Sequence, residues 1–94
     1  MEKSSYNDWV KRVDELVGFE GNVRNLAEEL IKYGCEDIYY FDNWVDILND
    51  GNVVADCDVY GNIHVNIEFE IVHSAGHNEV IKDTIIRITN VEVL

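Results

Sequence analysis

At 94 residues the chain is long enough for one domain with a modest core, and too short for two. A hydrophobic content of 47%, with two Trp, five Tyr and three Phe, excludes a disordered polymer despite a net charge of −12. That charge repels nucleic acid and anionic membrane, and no apolar run approaches the roughly 20 residues that span a bilayer.

The first third reads as two helices. Ser5 followed by Asp8 resembles a capping box, and Trp9, Val13, Leu16 and Val17 then share one face until Gly18 stops the helix. Asn22 is the expected cap of a second helix, with Val23, Leu26, Ala27, Leu30 and Ile31 on its apolar stripe and Gly34 at its end. Joined by Gly18–Gly21, the two form an αα-hairpin.

The middle has two readings. Ile38, Phe41, Val45 and Leu48 lie at helical spacing, whereas Asn49-Asp50-Gly51-Asn52 is a hairpin signal that would make Trp44–Leu48 a strand. The strand reading turns Asp46 inward beside Ala55, a costly burial, so a short third helix near Asn43–Leu48 is preferred.

The last third reads as a three-stranded antiparallel sheet. Val53, Ala55, Cys57 and Val59 alternate with polar positions, as do Ile63, Val65, Ile67, Phe69 and Ile71. A three-residue turn at Tyr60-Gly61-Asn62 sets Val59 opposite Ile63 and Cys57 opposite Val65. A third strand runs from about Val80 to Val93 with Ile86 and Ile88 inward; its apolar parity changes near Asn90, which predicts a bulge or a strand end there. The expected fold is one α+β domain over residues 1–94, with the helices packed on one face of the sheet.

Charge is distributed more unusually than it is composed. From Tyr33 to Ile81 there is no Lys or Arg, while Glu36, Asp37, Asp42, Asp46, Asp50, Asp56, Asp58, Glu68, Glu70 and Glu79 all fall inside that window. Soluble surfaces normally intersperse the two signs, because like charges repel in the compact state. In the expected register Asp56, Asp58, Glu68 and Glu70 share the outer sheet face with His64, at spacings of about 6.6 Å along and 4.8 Å across the strands. Such a grid offers carboxylates to a channel built for phosphates, although an outward Arg87 would neutralise part of it. Tyr39 and Tyr40, set among Asp37, Asp42 and Asp46, are candidate anchors for a basic partner through cation–π contact and hydrogen bonding.

Catalytic chemistry finds no support. Paired carboxylates on strands suggest a metal-dependent nuclease, yet neither acidic strand carries the Lys that stabilises developing charge. His73 and His77 have the i,i+4 spacing of helical zinc sites, but Gly76 and the position between two strands make them loop residues. Cys35 and Cys57 are too few and too far apart for a disulfide framework, and acidic neighbours deactivate a thiol. The N-terminal MEKSSYNDW lacks the layout of a secretory signal. A cytoplasmic, cofactor-free, metal-free, non-enzymatic protein is the expectation.

In size, charge and carboxylate layout over Tyr33–Ile81 the chain resembles the small acidic proteins of phages and mobile elements that act as DNA mimics or anti-CRISPR proteins. The resemblance implies a stoichiometric inhibitor that occupies a basic nucleic-acid channel, such as that of a CRISPR-Cas nuclease. It implies a basic protein partner, with no direct contact to nucleic acid or membrane. Asp56, Asp58, Glu68 and Glu70, then Asp42, Asp46, Asp50, Tyr39 and Tyr40, are the residues expected to carry binding. An immunity protein or antitoxin covering a basic toxin, and an accessory structural subunit, are the alternatives an acidic face allows.

Overall fold

A computed structural model describes residues 3–94, and side chains from Tyr6 onward. Helix α1 spans Lys3–Asp14 and presents Trp9 and Val13 to the core, with Leu16 following in the turn beyond it. It starts two residues before Ser5, so Ser5 lies within the helix; the expected cap bond falls outside the described side chains. Lys11 and Arg12 lie in its last turn, where the helix dipole favours positive charge.

The turn after α1 becomes the edge strand β1, Glu20–Gly21, before α2 spans Val23–Lys32. Asn22 caps α2 as its spacing predicts: its side-chain oxygen accepts from Asn25 N–H at 2.9 Å. A 3-10 turn at Ile38–Tyr40 leads to α3, Trp44–Asp50, which ends on Gly51 in the left-handed region at φ 79°. The Asn49–Asn52 hairpin signal is therefore a helix stop feeding β2, Asn52–Cys57. Strand β3 runs Ile63–His73, and β4 runs Ile85–Val93 after a second 3-10 turn at Ile81–Asp83.

The described residues form an α+β fold, with three α-helices and a four-stranded antiparallel sheet in the order β1-β4-β3-β2. The expected three-stranded sheet and the helices-first layout are thus corrected. The connection read as a bare αα-hairpin pairs with β4: Gly18 N–H donates to Ile88 O at 2.8 Å, and Ile88 N–H to Phe19 O at 2.9 Å. A two-residue strand has no periodicity to read, so its partner alone defines it.

The β2–β3 register is also corrected. Cys57 faces Ile63 and Ala55 faces Val65, two residues from the expected pairing, because the connection spans Asp58–Asn62. A slip of two keeps every side chain on its face, so Val53, Ala55, Cys57, Val65, Ile67 and Phe69 are buried as their alternation requires. Val59 leaves the strand and is exposed. In β4 the pairs Phe69–Ile88 and Glu68–Asn90 leave Thr89 as an extra residue, the bulge that the parity change near Asn90 signals. The strand starts at Ile85 rather than Val80, since Ile81–Asp83 coils first.

The helices and the inner sheet face enclose one core, with Trp9, Leu26, Leu30, Ile38, Ile67, Ile86 and Ile88 at most 2% exposed. Both indoles are anchored: Trp9 Nε1 donates to Tyr33 O and Trp44 Nε1 to Ile38 O, each at 2.9 Å. Val17, Ile31, Val45 and Ile71, counted on apolar faces by spacing, are instead exposed, lying at the margins of those stripes. Among the described residues no helix is long and apolar enough to cross a membrane.

Candidate functional site

Gly34 builds one wall of an acidic concavity. It sits just past α2 at φ 84°, and a Cβ there would collide with Val59 Cγ2, so conformation and space both demand glycine. The chain then runs beside the outer edge of β2, where Cys35 and Cys57 form an isolated antiparallel bridge. Glu36 N–H donates to Asp56 O at 2.8 Å, and Asp56 N–H donates to Glu36 Oε1 at 3.0 Å. A concavity of about 420 Å³ results, lined by Gly34, Cys35, Glu36, Asp56, Cys57, Asp58 and Asn62.

Both thiols are free and buried. Burial, then the adjacent Cys57 thiol and the Glu36 carboxylate, push Cys35 up to about 12. The Cys57 thiol donates to Tyr33 O at 3.4 Å. A thiol held protonated is a poor nucleophile, which fits packing rather than reaction.

The structure separates the expected grid. Asp56 faces His64, with Oδ1 at 3.1 Å from Nε2; sequence spacing had placed His64 beside Asp58. Asp58 lies beyond the end of β2. Glu68 faces Asn52 on one side and Asn90 on the other, four positions along β3 from His64 or about 13 Å. Glu70 is taken by Arg87, whose Nη1 lies 2.7 Å from its Oε2 while Nη2 lies 3.0 Å from Glu20 Oε1. The four carboxylates are therefore a dispersed set rather than a lattice, and among the described residues Glu70 is the one of them held by a guanidinium.

Asp42, Asp46 and Asp50 are exposed before, within and at the end of α3. Among the described residues none of them, nor Glu36, Asp37, Asp58 or Glu68, forms an ion pair. Tyr39 is half-buried and already has a cation: Lys82 Nζ lies 4.5 Å from its ring centroid and donates to Tyr39 O at 2.6 Å. Tyr40, 74% exposed, stands edge-on to Tyr39 with ring centroids 5.3 Å apart. Of the two candidate anchors, Tyr40 is the open one.

Glu36 and Asp37 join the site although sequence spacing did not select them. The contact of Glu36 with Asp56 depends on the Cys35–Cys57 bridge, a pairing 22 positions apart that no periodicity encodes, while Asp37 follows it and accepts from Tyr39 N–H. His73 ends β3, nine positions and so about 30 Å along the strand from His64, and His77 lies in the following turn. Among the described residues no group of three or more His, Cys, Asp or Glu is arranged to hold a metal ion. No protein-family model, curated protein or solved structure matches the chain.

Proposed function

We propose that the protein is a stoichiometric inhibitor whose acidic surface occupies a basic nucleic-acid-binding channel of a partner protein, in the manner of anti-CRISPR and DNA-mimic proteins. The observation that supports this reading is one-sided charge. Glu36, Asp37, Asp42, Asp46, Asp50, Asp56 and Asp58 are exposed on consecutive elements, and no Lys or Arg among the described residues is ion-paired to them. Such a surface steers a cationic partner toward it and discourages self-association.

Magnitudes limit the mimicry. The molecule measures 49 × 23 × 20 Å, and a duplex of that length carries about 29 phosphate charges at one per ~1.7 Å. A net charge of −12 does not match that density. Competition with DNA therefore needs fixed placement and non-ionic anchors, which Tyr40 and the exposed apolar side chains Ile31 and Val45 supply. Partner contact is centred on α3 and the Glu36–Asp56–Asp58 concavity, with Glu68 at its margin and Glu70 outside it.

The test is competition. The full chain, tagged, retrieves its partner from a host extract; the purified pair is then titrated with duplex DNA. Displacement by DNA, saturation at one inhibitor per site and an association rate that falls steeply with salt are the expected results. A partner without a nucleic-acid site, or a complex indifferent to DNA and salt, overturns the proposal.

A further inference from the structure

Strand β3 outruns its neighbour. The β2–β3 ladder ends at the Asn52–Glu68 pair, while β3 continues to His73. Phe69 N–H donates to Gly51 O at 2.9 Å, so the two-residue period of the strand turns the N–H and C=O of Ile71 to that same side, past the end of β2. Ile71 is 45% exposed, and Val72 beside it is the extra residue of a second bulge. Exposed strand edges of this kind are templates for pairing with another chain.

A groove of about 360 Å³ adjoins this edge, lined by Val45 and Leu48 of α3 and by Ile71, Ala75, Ile81 and Thr84. Its far wall is braced, because Ala75 N–H donates to Thr84 Oγ1 at 3.2 Å and Gly76 N–H to Glu79 Oε1 at 3.1 Å. Glu79 also lines the groove, Asp50 ends the helix beside it, and Glu68 projects unpaired from the outer face. Lys82 is committed to Tyr39. Charge therefore selects the occupant: a second copy would bring a further −12 to the same edge, whereas a basic segment is attracted.

We propose that this edge and groove accept an extended, basic segment of the partner by strand addition. The segment's main chain pairs with Ile71, alternate apolar side chains enter the groove, and an intervening Lys or Arg side chain lies on the outer side within reach of the unpaired Glu68. This rests on the reading above that the partner is basic, and adds the form in which part of it binds.

Three probes separate the two ideas: an octapeptide alternating Lys and Val, one of the same composition with four Lys followed by four Val, and octalysine. Each is titrated into the isotopically labelled full chain and followed by NMR. The proposal expects the alternating peptide to bind at least tenfold tighter than the block peptide, with shifts at Ile71, His73, Val45 and Leu48. It also expects Val45→Lys to weaken that binding at least tenfold; Val45 is 57% exposed, so this substitution leaves the core untouched. Equal binding of the two Lys–Val peptides, shifts confined to Glu36, Asp56 and Asp58, or a dimer of the free chain joined through Ile71 overturns strand addition. If octalysine then still binds in a salt-dependent way, the acidic-surface reading stands without it; if no cationic peptide binds, both fall.

Discussion

Glu70 and Asp56 both project from the outer face of the sheet, yet Glu70 meets the Arg87 guanidinium at 2.7 Å and Asp56 meets only the His64 ring at 3.1 Å. Arg87 sits on β4 between β1 and β3 and takes a glutamate from each, so one positive charge offsets half of that row's negative charge. At the other edge, Cys35 brings Glu36 against Asp56, and the sequence offers no Lys or Arg anywhere between Tyr33 and Ile81. The difference is between carboxylates ion-paired within the fold and carboxylates that, among the described residues, have no Lys or Arg beside them. For the proposed inhibitor it shifts the expected contact from the sheet centre toward α3 and the β2 edge.

The largest expected effect breaks the scaffold of the unbalanced region. Gly34→Ala places a methyl group against Val59 at a left-handed backbone position and should cost about 3 kcal/mol, read as a lower urea midpoint. A change below about 0.5 kcal/mol would show that the Gly34–Glu36 segment is not packed as described.

A smaller effect sharpens the comparison directly. Neutralising Glu36, Asp56 and Asp58 to Gln and Asn should weaken partner binding more than tenfold, about 1.4 kcal/mol, while Glu70→Gln leaves affinity within twofold. Stability should stay level or rise slightly in the triple variant as repulsion is relieved. If Glu70→Gln is instead the damaging change, the sheet centre is the binding region after all.

The smallest effect is absent at neutral pH. The Cys35 thiol ionises at about 12 in the folded chain, above its ordinary value of 9.0, so the unfolded chain loses its proton first. Its contribution is fully present below pH 9 and is lost as pH rises from 9 toward 12. The urea midpoint of the native chain should therefore fall more across that window than that of Cys35→Ser. Parallel curves would assign Cys35 an ordinary, accessible thiol.

Period-two alternation in Ile63–Phe69 made the buried face of the central strand legible, and survived the wrong turn length because a slip of two preserves facing. The Asn90 parity change marked the bulge, and the cost of burying Asp46 correctly decided for a helix at α3. What was illegible depends on contacts between distant segments. The strand nature of Glu20–Gly21 exists only through β4, and the Glu36–Asp56 contact only through a single bridge. Charge composition announced an acidic surface; only the positions of Arg87 and Lys82 tell which acids and which tyrosine it leaves open.

The bulge at Thr89 has a consequence for how this strand tolerates length change. Ile86 and Ile88 face inward before it, and Val91 after it, so deleting Thr89 would place all three on one unbroken alternation. Inserting a residue elsewhere in β4 would turn the remainder inside out. Thr89 is thus a spare position: its loss would straighten the strand without inverting it, and length variation in β4 has a neutral route there.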